Sequence, residues 1–133
     1  MRNTLFLSMM LWLLTACGGK NPQIAGTAEG AMVAAKLYYD CLAVGQYEMF
    51  LNGRQGASDM PESYRQELID SYRQFMAQQR QAHGSVISTE ATGISQDTAL
   101  HVTYVLLSIT FADSIHEEIA VPMVLQDDQW LMR

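Results

Sequence analysis

The sequence predicts an α+β domain, with N-terminal helices packed on a curved antiparallel sheet of about four strands. Three observations lead there. Apolar residues recur at helical spacing from Ala28 to Val44 and again from Met60 to Ala82. From Ser85 onward the pattern changes to runs rich in Val, Ile, Thr and Phe, which suit a pleated, half-buried surface. Short polar turns at Ser95-Gln96-Asp97, Ala112-Asp113-Ser114 and Gln126-Asp127-Asp128-Gln129 cut those runs into a meander.

The chain opens on a leader. Arg2 supplies a positive start, and Leu5 to Leu14, interrupted only by Ser8, has the length of a signal-peptide apolar segment. A helix crossing a bilayer would need roughly 20 apolar residues. Leu14-Thr15-Ala16-Cys17 follows directly and resembles a bacterial lipobox. Residues 1–16 then read as a signal peptide and Cys17 as the lipidated first residue of the mature chain, its thiolate being the nucleophile in diacylglycerol transfer. The expected membrane partner is engaged through that lipid, because each buried methylene contributes about 0.8 kcal/mol and two or three acyl chains hold firmly. Residues 17–26, with Gly18-Gly19-Lys20-Asn21-Pro22-Gln23, read as a flexible tether. The absence of aspartate after Cys17 resembles lipoproteins passed on to the outer membrane, so the expected address is the cell envelope, at the periplasmic face of that membrane.

Charge and cysteine content narrow the classes further. The net charge is −6, and the leader carries only Arg2, so the mature chain is more acidic still. That balance gives no electrostatic footprint for nucleic acid and disfavours anionic lipid surfaces. With Cys17 consumed by lipid, Cys41 stands alone and no intramolecular disulfide can form. The fold must rest on its apolar core.

Residues 27–133 read as one α+β domain. Thr27 is a natural N-cap for a first helix over 28–44, and Gly45 a natural residue to follow its end. Helical spacing gathers Ala31, Ala34, Ala35, Tyr38, Cys41 and Leu42 on one face and Glu29, Lys36 and Asp40 on the other. Gln46 to Leu51 suggests a short second helix, followed by a loop from Asn52-Gly53 to Gly56. The long helix over 60–82 has Asp59 and Glu62 at capping-box spacing and Pro61 in its first turn. Tyr64, Leu68, Tyr72, Phe75 and Gln79 line its apolar stripe, with Met60 and Met76 beside them, and Gly84 ends it. Strands are expected at 86–94, 98–111, 115–125 and 130–132. The second is apolar on both faces, Leu100, Val102, Tyr104 and Leu106 against Val105, Leu107, Ile109 and Phe111. One face of an antiparallel sheet suffices for a core, so the other predicts a partner subunit or a sheet curved around a cavity.

Several local segments resemble the nuclear transport factor 2-like superfamily. They are Ala34-Ala35-Lys36-Leu37-Tyr38 with Gly45-Gln46-Tyr47-Glu48, then Asp97-Thr98-Ala99-Leu100-His101-Val102, and Val121-Pro122-Met123-Val124-Leu125 leading to Gln129-Trp130. The similarity is closest to uncharacterised lipoproteins with a cystatin-like or lumazine-binding-like fold, and it covers residues 28–131. The chain stops almost at once after Trp130, which shortens the last strand. The resemblance implies a cone-shaped pocket between the sheet and the helices, used in some relatives for a ligand, in others for catalysis, and in others filled.

No catalytic residue emerges. An isomerase of the pocket type needs a buried carboxylate base and a donor for an enolate oxygen. Asp40 shares a helix face with Lys36 at ion-pair spacing, which makes it a solvated partner. His83, His101 and His116 do not converge, no metal site is expected, and no cofactor is implied. Cys41 reads as an inert core thiol. Glu117 and Glu118, adjacent in a strand, point to opposite faces and cannot form a carboxylate pair. The leading expectation is a non-catalytic pocket for a small ligand or peptide, lined by Tyr38, Tyr72, Tyr104 and Trp130, whose rings combine apolar bodies with polar tips. A homodimeric scaffold joined through the sheet's second apolar face is the alternative, and a pocket-type isomerase or hydrolase stands third.

Overall fold

The computed structural model describes residues 26–133. The leader, the lipobox, the expected lipidation at Cys17 and nearly all of the tether lie outside the described residues. The elements follow in the order α1 (Ala28–Ala43), α2 (Tyr47–Asn52), a 3₁₀ turn (Ala57–Asp59), α3 (Glu62–His83), β1 (Val86–Asp97), β2 (Val102–Phe111), β3 (His116–Gln126) and β4 (Gln129–Met132). The strands form one antiparallel sheet in the order β1-β2-β3-β4, with the helices on its inner face.

Helix α1 begins where its cap dictates. The Thr27 hydroxyl accepts from the Gly30 amide at 3.2 Å, satisfying one of the donors left over at a helix start. Ala31 and Ala35 are fully buried, so the helix approaches the sheet closely. Gly45 takes the positive φ of +84° that turns the chain into α2.

The start of α3 departs from the capping-box expectation. Asp59 closes the 3₁₀ turn, donating its amide to the Gly56 carbonyl at 3.1 Å, and Met60 is extended. Pro61 is the reason: its ring disfavours helical backbone at the preceding residue, so the helix cannot start before it. Pro61 becomes the N-cap without a side-chain cap bond. Arg65 secures the turn instead, donating to the Ala57 carbonyl at 2.9 Å and to Asn52 Oδ1 at 2.7 Å. Ile69 and Met76 are the buried positions of α3, while Tyr64 and Phe75 sit exposed at the edges of the predicted stripe.

The first hairpin also differs. Its turn is Thr98 to His101 rather than Ser95 to Asp97, because Asp97 Oδ1 accepts from the Leu100 amide at 3.0 Å and His101 adopts φ of +55°. Strand β1 is therefore longer than expected, β2 shorter, and Leu100 sits 56% exposed in the turn. The second hairpin follows the reading closely: Thr110 faces His116, and Asp113 Oδ1 accepts from the Ile115 amide at 3.0 Å. At the third turn Asp127 and Asp128 both adopt positive φ, as a two-residue hairpin loop requires.

Alternation sets the two faces of the sheet. Val105, Leu107, Val121 and Met123 point inward and form the core with Ala31, Ala35 and Leu42. Tyr104 and Leu106 point outward, Tyr104 opposite Pro122 and Leu106 opposite Ala120. The register of β1 with β2 shifts between Val86 and Ser88 and between Ala91 and Gly93, irregularities of the kind that bend a strand. The short β4 is bound on its far side by the loop after α2: the Gln55 amide donates to the Met132 carbonyl at 2.7 Å, and the Met132 amide to the Gly53 carbonyl at 2.8 Å.

Candidate functional site

Helix α3 is fastened at both ends and stands away from the sheet between them. At its N-terminal half the Tyr72 ring meets Phe50 edge-on, with centroids 5.0 Å apart. At its C-terminal end His83 Nδ1 lies 2.8 Å from Asp113 Oδ2, and the His83 carbonyl accepts from the Asp113 amide at 3.1 Å. Beneath the helix is a cavity of about 280 Å³. Tyr72, Phe75, Met76 and Gln79 of α3 form its roof, and Thr89, Ile109, Phe111 and Ile119 of the sheet its floor. Tyr39, Leu42 and Phe50 close the side nearest α1 and α2.

The walls are mostly apolar, and three polar side chains interrupt them. Glu117 reaches the cavity from β3, where strand alternation places it on the same face as Ile119 and Val121. Gln79 lines it from α3, its Oε1 buried without a hydrogen-bond partner. The Thr89 hydroxyl, on β1, donates to Asp40 Oδ1. Asp40 Oδ2 in turn pairs with Lys36 Nζ at 2.6 Å on the outer side of α1. Asp40 is thus engaged twice and unsuited to act as a free base. The Tyr72 hydroxyl accepts from Arg54 at 3.1 Å. Burial pushes the Tyr39 hydroxyl above its ordinary pKa, with Tyr72 adding to the shift and Arg54 opposing it.

Of the four tyrosine and tryptophan residues expected to line a pocket, only Tyr72 borders this cavity. Tyr38 lies over Gly53 and donates its hydroxyl to the Trp130 carbonyl at 2.7 Å, so ring and tip are both used structurally. Trp130 is buried in the core with its indole N–H unpartnered. Tyr104 belongs to the outward face of β2, opposite Ser95 and Pro122. Those three have the chemistry of pocket residues, whereas parity along the strands and the angular position on α1 decide which side chains reach the cavity. Parity is also the signal that would have found Glu117, which shares odd numbering with Ile119 and Val121.

The remaining candidates have ordinary settings. Cys41 is 6% exposed in the core. His116 pairs with Thr110 at 2.9 Å, and His101 occupies the first hairpin turn. Among the described residues no three His, Cys, Asp or Glu side chains converge as a metal site would require, and no helix is long and apolar enough to cross a membrane. Chemically, the site offers mostly apolar walls with one carboxylate and one unpartnered amide oxygen.

No protein-family model matches the chain, and no curated protein matches it. A solved structure does: a protein described as "Putative NTF2-like transpeptidase" from Campylobacter jejuni, which aligns with 85% of this chain and 97% of its own, at a TM-score of 0.59 and 14% sequence identity. At that identity the likeness speaks for the fold alone. Helices leading into a curved, four-stranded antiparallel sheet, in the same arrangement as that neighbour, make this chain an NTF2-like α+β fold.

Proposed function

We propose that this chain is a lipid-anchored envelope protein whose NTF2-like domain binds a small, mainly apolar molecule without transforming it. The observation that carries the reading is the cavity of about 280 Å³ beneath α3. Cavities near this size accept small organic ligands, a void of about 150 Å³ being enough for benzene. The neighbour's described activity, transpeptidation, calls for an activated hydroxyl or thiol beside a base. Around this cavity the Thr89 hydroxyl does meet a carboxylate, but that carboxylate, Asp40, is neutralised by Lys36 at 2.6 Å, and Cys41 is not among the lining residues. Binding accounts for the site with fewer requirements. The anchor rests on the lipobox at Cys17.

Native mass spectrometry of the intact chain, purified without heating, tests the binding reading. A reproducible adduct lost on denaturation supports it and gives the ligand's mass. An adduct-free chain that also takes up no added hydrophobic probe refutes it. Metabolic labelling with an alkyne fatty acid tests the anchor, which predicts label lost in Cys17→Ser.

A second reading, a homodimeric scaffold joined through the sheet, is favoured by Leu106, 39% exposed at the middle of the outer face. It predicts a dimer that Leu106→Glu converts to a monomer, as read by light scattering.

A further inference from the structure

We propose that the cavity selects a cation-headed ligand, an apolar or aromatic body bearing a protonated amine, with Glu117 as its counter-ion. This inference rests on the reading that the cavity binds a ligand and names that ligand's chemical class.

Glu117 is a half-buried carboxylate on an otherwise apolar wall, and it forms no hydrogen bond or ion pair with any described residue. Two other carboxylates of the domain are held by partners. Asp40 is held by Lys36 and Thr89, and Asp113 by His83 and the Ile115 amide. Glu118, the next residue along β3, points to the exposed outer face and is hydrated there. No lysine, arginine or histidine lines the cavity. Arg80 borders a smaller cleft next to it but makes no ion pair with Glu117. A carboxylate turned toward an apolar space loses hydration unless something positive arrives to replace it.

The rest of the lining agrees in sign. Gln79 presents a buried oxygen with no donor, and the Thr89 hydroxyl directs its hydrogen to Asp40, leaving its oxygen lone pairs as acceptors. Tyr39 and Tyr72 flank Phe50 edge-to-face, with centroids 5.2 and 5.0 Å away, and Phe75 and Phe111 line the same space. Aromatic faces attract ammonium groups through their quadrupole. The net charge of −6 draws cations toward the domain from solution. A carboxylate or phosphate ligand would face Glu117 with nothing to neutralise either group. A purely apolar one would leave both the carboxylate and the Gln79 oxygen desolvated and unpaired. The volume suits one ring with a short arm, or an alkyl chain of similar bulk.

Three probes of nearly equal size decide the matter by titration calorimetry on the intact chain at neutral pH: 2-phenylethylamine, 2-phenylethanol and phenylacetate. The expected order is amine, then alcohol, then acid, with the amine binding about tenfold or more tightly than the alcohol. Glu117→Gln removes the difference between amine and alcohol and leaves the alcohol's affinity in place, whereas Glu117→Asp, which keeps the charge, retains a preference for the amine. Equal affinities of amine and alcohol in the unmodified chain, a preference for the acid, or a preference for the amine that survives Glu117→Gln would each overturn the proposal while leaving the cavity a binding site. Failure of all three probes to bind would overturn both. The ranking in the unmodified chain is decisive even if a variant does not fold.

Discussion

The hydroxyl of Tyr38 donates to the carbonyl of Trp130 at 2.7 Å, joining the first helix to the last strand across the whole length of the domain. The same ring lies so close to Gly53 that a Cβ there would come within 2.5 to 2.8 Å of three ring carbons. One aromatic side chain thus brings together α1, the loop after α2 and β4, the three parts that close this end of the sheet.

Removing the hydroxyl while keeping the ring tests the first of these contacts. Tyr38→Phe is expected to lower stability by about 1 kcal/mol, the net worth of a typical intramolecular hydrogen bond. Gly53→Ala pushes a methyl into a ring that cannot swing aside and should cost about 1–3 kcal/mol. Urea unfolding monitored by tryptophan fluorescence measures both. Neither change should alter ligand uptake, since neither residue lines the cavity.

Roof and core can be separated at two positions of α3. Phe75 is 50% exposed at the cavity's rim, so Phe75→Ala should cost less than about 1 kcal/mol yet weaken ligand retention. Ile69 is buried and does not line the cavity, so Ile69→Ala should cost about 2–4 kcal/mol while leaving ligand retention in place. Denaturant melts together with native mass spectra of the two variants would show whether stability and binding divide in this way. Equal losses in both properties for both variants would contradict it.

The contact between His83 and Asp113 gives the fold an acid-side dependence. Partial desolvation pushes the Asp113 carboxyl up, but the Ile115 amide and the His83 ring together outweigh it and hold the group below its usual 3.8. A depressed carboxyl contributes stability that is complete above its unfolded pKa and lost as pH falls through the folded one. Asp113→Asn should therefore lower the melting temperature at pH 7, and the gap should narrow as the pH falls below the carboxyl's usual 3.8. Thermal melts of both proteins across pH 2.5–7 provide the comparison.

An opposite dependence is expected in alkali. Burial raises the hydroxyl pKa values of both Tyr38 and Tyr39, against the Gln129 side chain in the first case and Arg54 in the second. A raised tyrosine contributes stability that is present below its unfolded pKa, about 10, and lost as pH rises through the folded value. Absorbance at 295 nm should show two tyrosines ionising later than the rest, coincident with a fall in melting temperature above pH 10. Simultaneous ionisation of all the tyrosines in the folded protein would refute this.

Much of this architecture can be read from local chemistry, and its failures have local causes. Thr27 as a cap, Gly45 as a terminator and the pairing of Thr110 with His116 all depend on neighbours within a few residues, so spacing suffices to place them. The Asp59–Glu62 cap fails because Pro61 constrains Met60, a local conflict that spacing alone does not weigh. The first hairpin shifts because Asp97 ties down the Leu100 amide, placing an apolar residue in a turn where composition had suggested a strand. The site was harder to read. Tyr38 and Trp130 have the chemistry of pocket residues but lie where α1 meets β4, a contact between sequence-distant elements. The parity of Glu117 with Ile119 and Val121 is legible in the strand, but the cavity it borders depends on α3 standing off from the sheet, a relation between distant elements.

The loop residues that bind β4 leave the sheet asymmetric. One margin carries Gly53 and Gln55 against β4, whereas the whole length of β1 on the other margin presents an unpaired row of backbone donors and acceptors. A bare margin of this kind invites other strands to add on, and chains crowded side by side would polymerise through it. The two irregularities in β1 break that row's spacing. They thus discourage self-association, so straightening β1 should first be seen as fibres.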